Sequence, residues 1–402
     1  MFLTHFQCSG CGAVHPANSL NQNCSNCGGV LQAFYDYEKA RAFLKREDLL
    51  TRSPNIWRYK ELLPLIDEAH IISKGEGWSP IIQLRRCGAE LDLPGLYMKD
   101  ESTQPCGTFK ARACSVTVSA NREWGPKPMI VCADSLEGLA WSSYAAAAGL
   151  PLAVLTLESE LSEKAAQLIL ATGARLYAFK GDIALAASLA ERSAKENGWL
   201  HVSSFYEPYR LEGKKTVGFE IAEQFDWKLP EVIVCMVDYS GPLFGIYRAL
   251  RDMQALGWIN RPLPRLVAVQ VENDNELFKA WQARRPSMLP PKGPDPKEHK
   301  AVDRRLAFIN QFGSTILDGL YKTLGCAVSV SRDEVSRAAA NLGQKEGVPA
   351  GEAMAAIMAA TARLRSEGWI KPREKTLLVN PETGIFRMPP IPYPAIQSLT
   401  LA

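Results

Sequence analysis

Residues 99–112 read Lys-Asp-Glu-Ser-Thr-Gln-Pro-Cys-Gly-Thr-Phe-Lys-Ala-Arg. Pro105 and Gly107 break the backbone just before a run that can be helical from about Thr108 onward. The spacing predicts that Lys110 lies in the first helical turn, where free N–H groups and the helix dipole favour a neutral amine and attract anions. That environment suits a lysine that loses its proton and attacks a carbonyl carbon. From this stretch alone, a solvated surface lysine is the competing interpretation.

The stretch resembles the lysine motif of the type II fold of pyridoxal-phosphate enzymes, which usually reads Lys-Asp-Glu, a short spacer, then Pro-Thr-Gly-Ser-Phe-Lys-Asp-Arg. Within that fold, the chain is most similar to the threonine synthases. Two further blocks carry the resemblance: Pro-Tyr-Arg-Leu-Glu-Gly-Lys-Lys-Thr at residues 208–216 and Trp-Arg-Tyr-Lys-Glu-Leu-Leu-Pro at residues 57–64. With these blocks in the expected order, the resemblance covers nearly the whole chain, to Thr383-Gly384.

An α/β architecture is also predicted by the alternation of short apolar runs with helical stretches from Pro128 onward. The first series contains strands that we expect to be buried on both faces. They are predicted at residues 129–133, 152–157, 175–179 and, as a further candidate, 199–203. The resemblance implies a two-lobed type II pyridoxal-phosphate fold with twisted, mostly parallel sheets, preceded by an N-terminal zinc ribbon. The implied domains are the ribbon at 1–33, a large α/β domain at 34–110 and 206–402, and a small α/β domain at 111–205.

Composition and charge exclude several classes of function. The chain has 402 residues, 47% of them hydrophobic, and a net charge of +3 from 46 basic and 43 acidic residues, which argues against a nucleic-acid partner. We find no apolar stretch long enough to span a bilayer and no evident secretory signal, so we expect no membrane association and a cytoplasmic location. The resemblance implies a homodimer.

Four of the ten cysteines have the spacing of a metal site. Cys8-x2-Cys11 and Cys24-x2-Cys27 form two knuckles, and four thiolates in this arrangement match a tetrahedral structural zinc site. Such a site leaves no open position for water, so it would hold a fold and catalyse nothing. Unmetallated thiols packed at the surface are the alternative. Some threonine synthases carry a similar N-terminal knuckle.

The resemblance implies a pyridoxal 5'-phosphate site in which Lys110 forms a Schiff base with the cofactor. The cofactor-binding residues that it implies are Lys110, Phe109, Ser135, Ser240, Gly241, Leu243 and Thr383. The Thr383 hydroxyl would face the pyridine nitrogen, and a neutral partner there suits elimination and replacement reactions, in which a leaving group helps to carry the charge.

Substrate binding is implied for Arg210 and Ser135. A structural ion pair of Arg210 with Glu212 or Glu220 is the alternative for that arginine. Lys214 and Lys215 are expected to cap or solvate a helix start, without a catalytic role.

Two loops depart from the family pattern. Residues 134–138 read Asp-Ser-Leu-Glu-Gly where the family has Ser-Gly-Asn-Thr-Gly, so Leu136 replaces an asparagine that contacts the cofactor. Residues 238–242 read Asp-Tyr-Ser-Gly-Pro in place of a glycine-rich phosphate cradle. Pro242 has no N–H to donate, and an inward-pointing Asp238 would repel phosphate. Because the changes cluster around the ligands, they indicate altered chemistry on a retained scaffold.

Three hypotheses about function follow. The first is a pyridoxal-phosphate-dependent lyase that acts by elimination or replacement at the β or γ carbon of an amino acid. Lys110 would be anchor and base, and the substrate would be O-phosphohomoserine, giving threonine, or a related specialised amino acid. The second is a non-catalytic or cofactor-free relative that acts as a binding or regulatory protein. The third is a nucleic-acid-binding or protein-binding ribbon; residues 12–23 contain no Lys or Arg, which disfavours phosphate contact.

Overall fold

The computed structural model describes residues 1–204, 206–237, 241–260, 262–288, 312–385 and 388–391. The strands are β1 (Leu3–Cys8), β2 (Val14–Pro16), β3 (Leu31–Tyr35), β4 (Ile81–Gln83), β5 (Leu96–Asp100), β6 (Met129–Cys132), β7 (Leu152–Leu157), β8 (Arg175–Phe179), β9 (Leu200–His201), β10 (Val232–Met236), β11 (Arg265–Val271), β12 (Cys326–Val330) and β13 (Thr376–Asn380). The helices are α1 (Tyr37–Phe43), α2 (Arg85–Glu90), α3 (Lys110–Glu123), α4 (Ser135–Ala148), α5 (Glu163–Ala171), α6 (Ile183–Asn197), α7 (Tyr209–Gln224), α8 (Pro242–Leu256), α9 (Glu276–Gln282), α10 (312–322), α11 (Arg332–Glu346) and α12 (Glu352–Ser366). Short 3-10 helices cover Arg46–Thr51, Ile56–Leu62, Glu68–His70, Glu101–Thr103, Pro105–Gly107 and Glu158–Glu160.

The largest sheet has six strands in the order β12-β11-β10-β13-β5-β4. Its strands are parallel except for β4, which pairs antiparallel with β5. Successive residues of β10 enter opposite cores: Ile233 packs with residues of α7 and α8, whereas Val232 and Val234 pack with residues of α11 and α12. A parallel strand covered on both faces is apolar throughout, which explains the Val- and Ile-rich sequence of β10.

A second sheet has four parallel strands in the order β8-β7-β6-β9. The mostly parallel α/β architecture that the sequence predicts is therefore confirmed. The expectation that every strand of this series is buried on both faces is wrong for β8, whose Tyr177 is 51% exposed. As an edge strand, β8 has a neighbour on one side alone, and its side chains reach solvent.

The third sheet lies in the N-terminal segment, where β1 pairs antiparallel with β2 and β3 in the order β2-β1-β3. Its apolar residues pack against α3 and α7. Two hydrogen bonds also fix the segment: the Asn21 N–H donates to the Tyr209 hydroxyl at 2.8 Å, which donates to the Ser19 carbonyl at 3.1 Å. The ribbon therefore rests directly on the N-terminus of α7. The domain boundaries themselves stay a prediction.

Helices α3 and α7 approach each other closely below the candidate site. A side-chain carbon added to Gly213 would lie 2.3 Å from the Arg112 carbonyl oxygen, so the contact excludes any larger residue there. Lys214 and Lys215 follow on α7 and are fully buried, so the expectation that they solvate a helix start is wrong. Across the described ranges, no helix combines the length and apolar character needed to cross a bilayer.

Candidate active site

The candidate site lies where three neighbouring parallel strands end. β10, β13 and β5 are adjacent in the six-stranded sheet. The chain continues from β5 to Lys110, from β13 to Glu382 and Thr383, and from β10 to Gly241. Since parallel strands end at the same edge of a sheet, this topology brings distant segments together. The Thr383 N–H donates to the Gly107 carbonyl at 2.8 Å, which joins two of them directly.

The turn before α3 determines how Lys110 enters the site. Cys106 and Gly107 both have positive φ, at 61° and 72°. A side-chain carbon at Gly107 would lie 2.7 Å from Thr383 Cγ2, so glycine is required by space as well as by conformation. α3 then begins at Lys110, after Phe109 as its N-cap. Lys110 is therefore in the first helical turn, as the sequence predicts.

Three carboxylates surround the Lys110 amine. Its Nζ lies 2.9 Å from Asp134 Oδ2, 3.7 Å from Glu382 Oε2 and 3.9 Å from Glu137 Oε2. The lysine side chain is only 8% exposed. It is therefore not the solvated surface lysine of the competing interpretation.

Asp134 links the amine to a helix N-terminus. While its Oδ2 accepts from Lys110, its Oδ1 accepts from the Glu137 backbone N–H at 2.8 Å, as the N-cap of α4. The sequence analysis recorded the loss of asparagine at Leu136 but missed this cap, which the Asp-x-x-Glu pattern at 134–137 could have indicated. The Ser135 hydroxyl donates to the Glu160 carbonyl at 2.6 Å.

Glu137 joins Lys110 to Arg210. Arg210 Nη2 donates to Glu137 Oε1 at 2.6 Å, and Nη1 donates to the Val202 carbonyl at 2.7 Å. Burial would raise the pKa of Glu137, but the Arg210 guanidinium and the Lys110 amine outweigh it and lower the pKa to about 2. The ion pair that was the alternative for Arg210 is thus present, but its partner is Glu137.

Glu212 and Glu220, the two acids predicted as partners of Arg210, form ion pairs with other residues. Glu212 pairs with Lys215, and Glu220 pairs with Arg112 and Lys99. They lie two and ten residues beyond Arg210 on the same helix, whereas Glu137 reaches Arg210 from α4.

Lys214 is a component of the site region that the sequence analysis missed. Its Nζ lies 5.4 Å from the centroid of the Phe109 ring, and its charge contributes to the lowered pKa of Glu137. α8 starts nearby, since a side-chain carbon at Gly245 would lie 2.7 Å from the Lys214 carbonyl oxygen. The Lys214 side chain therefore adds a buried positive charge close to the start of α3, while its backbone contacts the first turns of α8.

The phosphate-binding residues implied by the resemblance lie at the start of α8. Gly241 is its N-cap and Pro242 its first residue, followed by Leu243. Ser240 lies outside the described residues. The N-terminus of a fifteen-residue helix is a suitable place for a phosphate group.

A cavity of about 260 Å³ opens beside Asp134 and Glu382, two of the carboxylates that contact Lys110. Its lining includes Asp134, Ser135, Leu136, Glu160, Glu382 and Thr383. Thr383 lines this cavity, and its hydroxyl accepts a hydrogen bond from the Ile385 N–H at 3.3 Å, whereas the Leu136 side chain offers no hydrogen bond. A buried primary amine at Lys110, close to a cavity that Thr383 lines, is the kind of group that pyridoxal phosphate requires, whereas the carboxylates beside the amine would repel an anionic substrate.

The four predicted metal ligands come together in the ribbon. The Sγ atoms of Cys8, Cys11, Cys24 and Cys27 all lie within 4.8 Å of one another. A side-chain carbon at Gly29 would approach Cys8 Sγ to 2.8 Å, so glycine leaves room for the sulfur atoms. The His15 ring also contacts the cluster, with its Nε2 3.3 Å from Cys24 Sγ. This donor set fits a tetrahedral zinc ion.

Comparison with known proteins agrees with this arrangement. Residues 72–382 match the family described as pyridoxal-phosphate dependent enzyme. The threonine synthase of Methanosarcina acetivorans is 30% identical over 390 residues, which cover 95% of this chain and 93% of that protein. The threonine synthase of Methanocaldococcus jannaschii is 28% identical over 384 residues, covering 94% and 92%.

Solved structures show the same fold. The processed form of threonine deaminase isoform 2 from Solanum lycopersicum aligns with a TM-score of 0.63 at 14% identity, covering 91% of this chain and 93% of that one. A pyridoxal 5'-phosphate-dependent aspartate racemase aligns with a TM-score of 0.61 at 19% identity, covering 76% and 90%. At these identities the likeness concerns the fold alone.

Proposed function

The chain is a threonine synthase-like member of the pyridoxal-phosphate dependent enzyme family, and we propose that it is a lyase acting on an amino acid that carries a leaving group at its β or γ carbon. The reaction would be elimination or replacement at that carbon. The observation that supports this most is the place of Lys110 in the first turn of α3, with its amine 2.9 Å from Asp134 and 3.7 Å from Glu382, two residues that line a cavity together with Thr383.

Pyridoxal phosphate, when bound, supplies an electron sink for negative charge that develops at the substrate α carbon. Lys110 would anchor it, Thr383 would face its ring nitrogen, and Phe109 would pack nearby. Its phosphate would lie at the N-terminus of α8, at Gly241 and Leu243, together with Ser240. The resemblance implies Ser135 and Arg210 as substrate-binding residues; Ser135 lines the cavity, whereas Arg210 is 1% exposed and paired with Glu137.

Lys110 would also move protons between neighbouring carbons of the substrate. It is mostly buried, so water competes little for its amine. Asp134 and Glu382 lie on either side of this amine and would hold its charged form in place when it carries a proton. The name of the relatives makes O-phosphohomoserine the first candidate substrate and threonine its product; a related specialised amino acid is the other candidate.

A non-catalytic relative is the second candidate function, and one observation favours it. Lys110 forms an ion pair with Asp134 at 2.9 Å, and the ammonium form of a lysine is not a nucleophile. In a binding or regulatory protein, the same pair would simply stabilise the contact between α3 and α4.

A spectrum distinguishes the two candidates. The purified enzyme should absorb visible light when supplied with pyridoxal phosphate, and borohydride reduction followed by peptide mapping should attach the cofactor to Lys110. The absorbance should change on addition of an amino acid with a β or γ leaving group. A protein that stays colourless in excess cofactor would contradict the enzyme and support the binding protein.

Three further features complete this proposal. The ribbon would hold a structural zinc ion at Cys8, Cys11, Cys24 and Cys27. The protein would be a homodimer located in the cytoplasm. Zinc analysis, mass measurement in solution and cell fractionation test these expectations separately.

A further inference from the structure

Two groups near Lys110 that would attract an anion are already bound to carboxylates of the chain itself. One is the N-terminus of α4, where the Glu137 N–H donates to Asp134 Oδ1 at 2.8 Å. The other is the Arg210 guanidinium, which donates to Glu137 Oε1 at 2.6 Å. Both carboxylates also face Lys110, at 2.9 Å from Asp134 and 3.9 Å from Glu137. A ligand anion would therefore compete with two internal ones.

Arg210 is poorly placed to exchange its partner. The residue is 1% exposed, and its two terminal nitrogens bind Glu137 and the Val202 carbonyl. The Nε atom of Arg210 has no hydrogen-bond acceptor among the residues that the structure describes. The guanidinium therefore has one N–H left to donate, although Glu137 already balances its charge. Displacing Glu137 would leave a carboxylate buried without its cation, which is strongly unfavourable.

The cavity itself is acidic. Its lining includes Asp134, Glu160 and Glu382, and none of its lining residues is a lysine or an arginine. A phosphate monoester carries up to two negative charges at neutral pH, so it would be repelled by these carboxylates at short range. An uncharged leaving group, such as an acetyl ester, avoids this repulsion.

This inference rests on the proposed reaction at the β or γ carbon, but it departs from O-phosphohomoserine, the candidate substrate suggested by the relatives. We propose that Asp134 and Glu137 set the substrate class: the site accepts amino acids whose leaving group carries no negative charge and discriminates against phosphorylated ones. Asp134 acts by occupying the N-terminus of α4, and Glu137 acts by neutralising Arg210. The chain would thereby keep the fold and the type of reaction of its relatives but act on a different class of substrate.

The first test compares two ligands that differ in the leaving group. O-acetyl-L-homoserine and O-phospho-L-homoserine are each titrated into the cofactor-loaded enzyme, with the visible spectrum and calorimetry as independent measures of binding. The acetyl compound should bind at least about tenfold more tightly. Equal or tighter binding of the phosphorylated compound would overturn this inference and leave the proposed function standing. A protein without cofactor absorbance would instead overturn the proposed function and this inference with it.

The second test uses Glu137→Gln, which keeps an oxygen for Arg210 but removes the charge. Binding of O-phospho-L-homoserine should tighten about tenfold, and binding of the acetyl compound should change little. Glu163→Gln, an exposed acid on α5, removes the same charge away from Arg210 and should change neither. Asp134→Asn keeps the cap on α4 and should act in the same direction as Glu137→Gln. If neither Glu137→Gln nor Asp134→Asn improves binding of the phosphorylated compound, the inference is wrong.

Discussion

Arg112 and Glu101 form a bidentate ion pair in the interior, with Nε donating to Oε2 at 2.6 Å and Nη2 donating to Oε1 at 2.8 Å. Arg112 Nη1 also donates to Glu220 Oε2 at 2.7 Å, and Glu220 binds the Lys99 amine. All four side chains are almost completely buried. Burial would raise the pKa of Glu220, but Arg112 and Lys99 lower it to about 2. The charges of two cations and two carboxylates therefore cancel within this buried network.

Replacing Arg112 with methionine should destabilise the protein severely. The substitution leaves Glu101 buried without a cation, and breaking a buried pair in this way costs about 3–5 kcal/mol. Urea denaturation followed by circular dichroism measures the change. Lys322→Met, which breaks an exposed pair with Asp318 on α10, should cost less than about 1 kcal/mol. Similar losses for both variants would show that the buried network does not stabilise the fold.

Lys110→Ala should abolish visible absorbance in excess pyridoxal phosphate and lower turnover by about a thousandfold or more, since the variant lacks both anchor and base. Its unfolding should remain cooperative. Lys180→Ala, at a side chain that is 81% exposed, should keep full absorbance and activity. An active Lys110→Ala variant would refute the catalytic role.

Glu207 should make stability fall as pH rises toward neutrality. Burial raises its pKa from 4.5 to about 7, against the opposing effect of Arg210. Between these values the folded state retains a proton that the unfolded state has released, so the free energy of unfolding decreases across this window and is highest below it.

Glu207→Gln should remove that decrease. The variant's stability relative to the wild type should improve by about 1–3 kcal/mol between pH 4.5 and pH 7.5. Urea denaturation at a series of pH values measures the difference, with the exposed Glu163→Gln as control. A constant difference over this range would mean that the carboxyl does not titrate as expected.

Cys8→Ser should abolish binding of one equivalent of zinc, measured by atomic absorption, because the tetrahedral site loses a thiolate. The ribbon should also become sensitive to proteolysis, since metal binding and folding are coupled. Cys132→Ser, outside the cluster, should keep its metal. Equal metal content in both variants would show that the four cysteines do not form a zinc site.

The strands with apolar, β-branched runs could be predicted from the sequence alone, and so could the position of Lys110 at the start of a helix. The sequence also grouped the four cysteines, because their spacing is local. It did not reveal that Arg210 pairs with Glu137, since these residues are distant in sequence and their contact depends on how α4 and α7 both pack against α3. Lys214 and Lys215 were misjudged because charge indicates exposure on average, and tertiary packing overrode that average here.

The hydrogen bonds of Tyr209 to the ribbon have a practical consequence for anyone who handles the protein. Tyr209 is the neighbour of Arg210 on α7, and its hydroxyl contacts the backbone of both Ser19 and Asn21. If the ribbon binds zinc as we propose, removal of the metal by chelators or by an affinity column would release the segment that contacts this tyrosine. Assays on such material would then underestimate the proposed activity, although no residue of the candidate active site had been altered.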